Sequence, residues 1–194
     1  MPKTVAPGPD DAYLTGQVLI AMPALQEGPF ARSVIYVCAH TGEGAMGIVL
    51  NRPLAKPSFA DLLQQLDVSP QPPARQLRLC EGGPVDGARG FVLHTSDWTG
   101  DGSLRVDSQT ALTASLDVLH AVAAGRGPAK GLLALGYANW GPGQLDDEIQ
   151  RNAWLSATPE QDLLFDAACD TKWARALASL RVDPAKLSHE AGRA

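Results

Sequence analysis

Cys38 and His40 lie two residues apart, after the apolar run Val34-Ile35-Tyr36-Val37. If that run is a strand, both side chains leave the same face, where an imidazole could lower a thiol pKa and activate it as a nucleophile or redox centre. Same-face neighbours along a strand stand about 6.5 to 7 Å apart at Cα, so direct contact needs favourable rotamers. The apolar flank also favours burial, which would make the thiol a small inert hydrophobe. Cys38, with His40 as its neighbour and Arg32 as a second helper, is the candidate thiol site, and the chemistry requires an exposed, low-pKa thiolate. Cys80 and Cys169 have no nearby histidine in the sequence and read as structural. His94 and His120 belong to no H-x-x-x-H or H-E-x-x-H pattern, so each reads as a hydrogen-bonded structural residue and no metal site is expected.

A second constellation runs Gly136-Tyr137-Ala138-Asn139-Trp140-Gly141-Pro142-Gly143-Gln144-Leu145 and continues to Glu148, Asn152 and Trp154. A strand entering a Gly-Pro-Gly bend should open a helix whose Gln144, Glu148 and Asn152 share one face. Trp140 and Trp154 beside that polar stripe would line a groove for a small molecule or a peptide, although core aromatics under a solvated face fit the same pattern. Asp146, Asp147 and Glu148 early in the helix would repel a phosphate there. Gly42-Glu43-Gly44-Ala45-Met46-Gly47 satisfies G-x-G-x-x-G but leads into the β-like Gly47-Ile48-Val49-Leu50, so a Gly-rich hairpin fits better than a dinucleotide fingerprint. No phosphate-loop pattern and no G-x-S-x-G occurs.

The elements that must position these residues follow from patterning. Strands are expected at 17–22, 33–39, 46–51, 77–80, 90–94 and 131–138. Helices are expected at 61–66, 108–124, 144–151 and 171–180. The 108–124 helix rests on Leu112, Leu116, Leu119 and Ala123 at helical spacing, with Asp107 or Ser108 as cap and Gly125 as stop. Strands early and helices late point to an α+β architecture. Residues 1–12 read as a disordered lead-in without a signal peptide, 13–188 as one domain, with the cluster Ser69-Pro70-Gln71-Pro72-Pro73 as an internal loop, and 189–194 as a tail.

With 194 residues, 45% of them hydrophobic, the chain can bury a sizeable core without a staple. Three widely spaced cysteines indicate neither a disulfide framework nor a zinc site, which suits a reducing cytoplasm. The net charge of −5 argues against direct DNA binding and against attraction to an anionic membrane. The acidic stretch from Asp146 to Asp170 reads as solvated helix face that a basic protein partner could use. No apolar run approaches the roughly 18 residues needed to span a bilayer.

Several blocks together resemble the AlgH/YqgE family of small bacterial proteins, from about Thr15 to the end. They are Gly16 to Pro23, Arg32 to Cys38, Gly44 to Gly47, Gly82-Gly83-Pro84-Val85, Arg89 to His94, and the Trp140 to Trp154 block. The resemblance implies a complex single α+β domain with a coiled or bifurcated mixed β-sheet packed by helices, in a bacterial cytoplasm. It also carries a transcriptional-regulator label that describes a genetic association rather than a biochemical activity. Its features map onto Arg32, Ser33, Cys38, Gly82, Gly83, Pro84, Arg89, His94, Trp140, Gln144, Glu148, Asn152 and Trp154, and no catalytic role or cofactor comes with them. The chain departs from the family where Ala39 and Asn139 replace the common Glu and Gly, and at its Gly192-Arg193-Ala194 ending.

The reading that follows is a non-enzymatic binding or regulatory protein, acting on transcription indirectly. It would hold a protein partner or small ligand at the Gly82-Gly83-Pro84 turn and the Trp140 to Trp154 groove. The alternative is a redox-active or catalytic thiol protein acting through Cys38.

Overall fold

Strand β8 (Gly131–Trp140) is the strand around which the sheet forks. The computed structural model describes residues 13–25, 28–70 and 75–186. The expected lead-in, Gln71-Pro72-Pro73, the last two residues of the expected domain and the tail lie outside them. Residues 132–135 of β8 pair in parallel with β4 (Arg78–Glu81) on one edge and antiparallel with β5 (Val85–Thr95) on the other. Residues 138–140 pair instead with β3 (Gly44–Val49), which takes over the edge that β4 vacates. Beyond β3 come β2 (Val34–Thr41), β1 (Val18–Ala21) and β9 (Trp154–Ala157), and beyond β5 come β7 (Thr110–Thr113) and β6 (Leu104–Arg105). The result is a mixed, curled nine-stranded sheet in which only the β4–β8 pair is parallel.

The fork is a backbone-to-backbone contact. Gly82 N–H donates to the Leu135 carbonyl at 2.9 Å, and the Gly82 carbonyl accepts from Val49 N–H at 2.8 Å, so one residue ties β4 to both β8 and β3. Gly136, in the left-handed region at φ +77°, swings β8 between its two partners. A Cβ there would stand 2.6 Å from the Gly83 carbonyl oxygen, and one on Gly82 would stand 2.3 Å from the Gly136 carbonyl oxygen. Side chains at these positions would hold the two branches apart.

Helices cover both faces. Leu164 of α4 (Gln161–Phe165) and Ala176 and Leu177 of α5 (Cys169–Ser179) join Val18, Val34, Tyr36, Cys38, Ile48 and Leu93 in one core. Across the sheet, α3 (Gln144–Gln150) packs over Leu19, Ile35, Val37 and Val49. Helices α1 (Phe59–Gln65) and α2 (Asp117–Ala123) pack over Leu79, Val92 and Leu133. All four residues of β1 are buried, as expected of a strand covered on both sides. Among the described residues no helix is long and apolar enough to cross a membrane.

Every expected strand is present within a few residues, and Gly42 and Glu43 do close a hairpin between β2 and β3. The helix expected over 108–124 is corrected. Residues 110–113 are strand β7, paired with β5, and only 117–123 are helical. Asp107, expected to cap a helix, accepts instead from the amides of Gln109 and Thr110 at 2.7 and 2.8 Å and turns the chain into β7. Leu116, which the helical spacing would bury, is 47% exposed. The sheet also gains β6 and β9, and α4 is added; none of the three was expected.

Candidate functional site

The register of the β2–β3 hairpin decides the fate of the Cys38–His40 pair. Val37 stands opposite Gly47 and Ala39 opposite Met46, so Cys38 is the extra residue of a β-bulge. A one-residue insertion reverses every later side chain. Cys38 therefore enters the core beneath α4 and α5, while His40, opposite Ala45, points to the α3 face. There His40 Nδ1 accepts from Leu14 N–H at 3.1 Å, and its Nε2 lies 3.6 Å from the Asp146 carboxylate. Burial pushes the Cys38 thiol up to about 12, the reverse of an activated thiolate. The expected same-face pairing is thus corrected, and with it the exposed low-pKa thiol. In native protein at pH 8, an alkylating reagent followed by peptide mass spectrometry should leave Cys38 unmodified until the chain is unfolded; rapid native labelling would contradict this geometry.

The tryptophan block closes into a node. Trp140 and Trp154 are each 3% exposed and meet edge to face at 6.2 Å, with Phe30 stacked on Trp140 at 6.3 Å. Both indole N–H groups donate to the same oxygen, Glu148 Oε2, at 3.0 and 2.8 Å, while Glu148 Oε1 accepts from Gln144 Nε2 at 3.0 Å. Asn152 does not extend the stripe, because it sits at φ +60° in the turn that ends α3. The two indoles line the core in place of the expected groove. Glu148→Ala would leave two buried indole N–H groups without an acceptor and should cost about 2 kcal/mol in urea unfolding. Glu148→Gln, which keeps an acceptor oxygen, should cost less.

The other expected positions scatter. His94 is buried; its Nδ1 faces the Thr95 carbonyl at 2.9 Å and must carry the proton, so Nε2 accepts from the Thr113 hydroxyl at 2.8 Å. Burial lowers the pKa of this ring, in keeping with a neutral structural histidine. Arg89 is exposed and stacks over Phe91 at 5.0 Å. Gly82 and Gly83 are buried at the fork, with Pro84 exposed beside them. Among the described residues no group of three His, Cys, Asp or Glu converges in a way that could hold a metal.

Arg32 and Ser33 belong to a different place. The hairpin register, Ile35 opposite Val49, carries on to set Ser33 beside Asn51 and Arg32 beside Arg52 at the hairpin's open end. Asn51 locks this junction: Oδ1 accepts from Val34 N–H at 2.9 Å and Nδ2 donates to the Arg32 carbonyl at 2.8 Å, holding Arg32 at φ +53°. Arg52 Nη2 donates to the Ala31 carbonyl and to Ser33 Oγ, both at 3.2 Å. The first turns of α5 face this corner, and Arg32, Asn51, Arg52, Cys169, Asp170 and Trp173 line a cleft of about 420 Å³. The Arg32 guanidinium lies 5.4 Å from the centre of the Trp173 ring, and Trp173 is anchored by its N–H donating to the Ala21 carbonyl at 2.8 Å. On the far side of Arg32 and Trp173 a second cleft of about 530 Å³ is lined by Pro23, Leu25 and Pro184. Asn51, Arg52, Cys169 and Trp173 were not anticipated as site residues. The hairpin itself was the available signal, since folding the chain about Gly42 and Glu43 returns Arg52 to Arg32.

Comparison with known proteins accounts for the fold. The AlgH-like family model matches residues 18–185. A UPF0301 protein of Nitrobacter hamburgensis is 50% identical, covering 96% of this chain and 90% of its own. One from Rhodospirillum rubrum is also 50% identical, covering 95% and 96%. The solution structure of the AlgH protein from Pseudomonas aeruginosa superposes with a TM-score of 0.76 at 39% identity over 100% of both chains. A crystal structure of a Corynebacterium diphtheriae protein, at 22% identity and a TM-score of 0.66 over 86% of both chains, shares the fold. A forked mixed sheet, matched along nearly its whole length in sequence and structure, thus places this chain in the AlgH-like family, to which it belongs.

Proposed function

We propose that the chain is a ligand-binding protein whose recognition site is the cleft between the 31–33 turn, Asn51-Arg52 and the start of α5. The observation that carries this reading is the exposed Arg32, which forms no ion pair among the described residues, is held in a left-handed conformation by Asn51 and stacks on Trp173 at the mouth of an open cleft. Non-glycine residues held in that region cost about 1–3 kcal/mol and tend to gather at ligand clamps. A binding role rather than thiol catalysis is favoured because Cys38 is enclosed and held protonated. Any effect on transcription then runs through the bound ligand or a protein partner; the net charge of −5 supports this over contact with duplex DNA.

The test is a thermal-shift screen of anionic, neutral and cationic small compounds on the wild type and on Arg32→Gly. Glycine adopts φ +53° without strain, so the variant should melt at or above the wild-type temperature while lacking the guanidinium. A compound that raises the melting temperature of the wild type but not of Arg32→Gly supports the reading. Equal shifts for every compound would move the site elsewhere.

A further inference from the structure

The charge of this cleft is unusual for so acidic a chain. Among the described residues four ion pairs form, and none involves Arg32, Arg52 or Arg78. Arg78 adjoins the lining, with Nη1 donating to the Leu50 carbonyl at 2.9 Å and to Cys169 Sγ at 3.2 Å. Four buried side-chain polar atoms among the described residues lack a hydrogen-bond partner, and three of them are guanidinium nitrogens here: Arg52 Nε, Arg78 Nε and Arg78 Nη2. Buried N–H groups are almost always satisfied, so three orphan donors on two arginines leave unused donor capacity and positive charge in and behind the wall of the cleft. Opposing them in the lining is one carboxylate, the exposed Asp170. Arg32 and Arg52 outnumber Asp170 in the lining and Arg78 stands behind it, so the cleft carries a net positive charge, which suits the nearly divalent phosphate monoester at neutral pH. The nearby Lys172 and Arg175 share the Asp166 carboxylate, at 3.0 and 2.6 Å, outside the lining.

We infer that the cleft binds the phosphate group of a small organic phosphate, an assignment that rests on the ligand-binding reading above. The forked N–H geometry of arginine suits a multi-oxygen anion, and Arg52 is already oriented by Ala31 and Ser33. Trp173 and Arg32 stand between this polar corner and the second cleft, where Pro23, Leu25 and Pro184 offer apolar surface for the ligand's organic body. The recognised molecule therefore has a phosphate head and an apolar or aromatic body.

Calorimetric titration at constant ionic strength, with phenyl phosphate, inorganic phosphate, benzoate and phenol as probes, tests this. Phenyl phosphate should bind about tenfold or more tightly than each of the other three. Arg32→Gly should weaken it by about tenfold, and so should Arg52→Lys, which keeps the charge but loses the fork. Circular dichroism and melting temperature establish that both variants are folded. Phenyl phosphate binding that neither variant weakens would overturn the site. If phenyl phosphate fails to bind at about 10 mM while a neutral or cationic compound still depends on Arg32, the phosphate assignment falls and the ligand-binding reading stands. Dependence of no compound on Arg32 would remove both.

Discussion

Gly83→Ala is expected to destabilise the protein by about 4 kcal/mol or more, enough to leave little folded material at 37 °C. A Cβ at this position would lie 2.1 Å from the Tyr137 carbonyl carbon, 2.3 Å from its oxygen and 2.4 Å from Ala138 N. All three are backbone atoms of β8, which cannot move aside like a flexible side chain. Gly83 also sits at φ +153°, at the edge of the region that side chains avoid, so steric overlap and backbone strain add. The site of damage is the fork itself. Gly82 links β4 to β8 and β3, and forcing residue 83 away from Tyr137 would pull those hydrogen bonds apart. Gly87→Ala is the control, because a Cβ at residue 87 meets nothing within 4 Å. Urea unfolding of the two variants should separate them by most of the predicted difference. Similar midpoints would mean that β8 can give way at Tyr137, and that the Gly82-Gly83-Pro84 segment is not a packing constraint.

The same fork explains why parts of the molecule were legible in the sequence and others were not. The β2–β3 hairpin could be read because a Gly-rich turn separates two runs with β-branched residues, a local signal. The bulge at Cys38 could not, since one unpaired residue leaves no mark in composition, yet it moves His40 to the opposite face. Leu112, Leu116, Leu119 and Ala123 keep helical spacing, but pairing with β5 outweighs it, and Thr110 to Thr113 lie in a strand with Leu116 left exposed. Trp140, Glu148 and Trp154 do meet in space, but spacing alone does not distinguish a groove lined by two indoles from two indoles sharing one carboxylate. The arginine cleft is assembled from residues 32, 52, 78 and 169, and only the first two are joined by a local hairpin. The approach of Arg78 and α5 is a tertiary event that no window of sequence contains.

Asp166→Ala carries the second large expectation, a loss of about 3–5 kcal/mol, because it strands a charge in the core. Lys172 is fully buried, and its Nζ donates to the Leu163 carbonyl, to the Asp166 carbonyl at 3.3 Å and to Asp166 Oδ1 at 3.0 Å. Arg175 grips the same carboxylate at 2.6 and 2.9 Å. The Arg175 hydrogen bonds, with Lys172 adding to them, hold the Asp166 pKa far below the ordinary carboxylate value, whereas burial pulls Lys172 down from its own. The folded-state pKa of Asp166 lies below the unfolded one, so its contribution is present above about pH 4 and is lost as pH falls toward the folded value. Removing the carboxylate leaves Lys172 only two carbonyl oxygens. Removing the lysine as well should recover much of the loss, so Asp166→Ala/Lys172→Met should be more stable than Asp166→Ala alone. A double variant no better than the single one would show that the carboxylate acts through Arg175 and not through the buried charge. The consequence reaches the cleft. Lys172 ties the first turns of α5 to the end of α4, and Cys169, Asp170 and Trp173 line the cleft from those turns. Where Asp166→Ala remains folded, it should therefore weaken phenyl phosphate binding without touching the ligand.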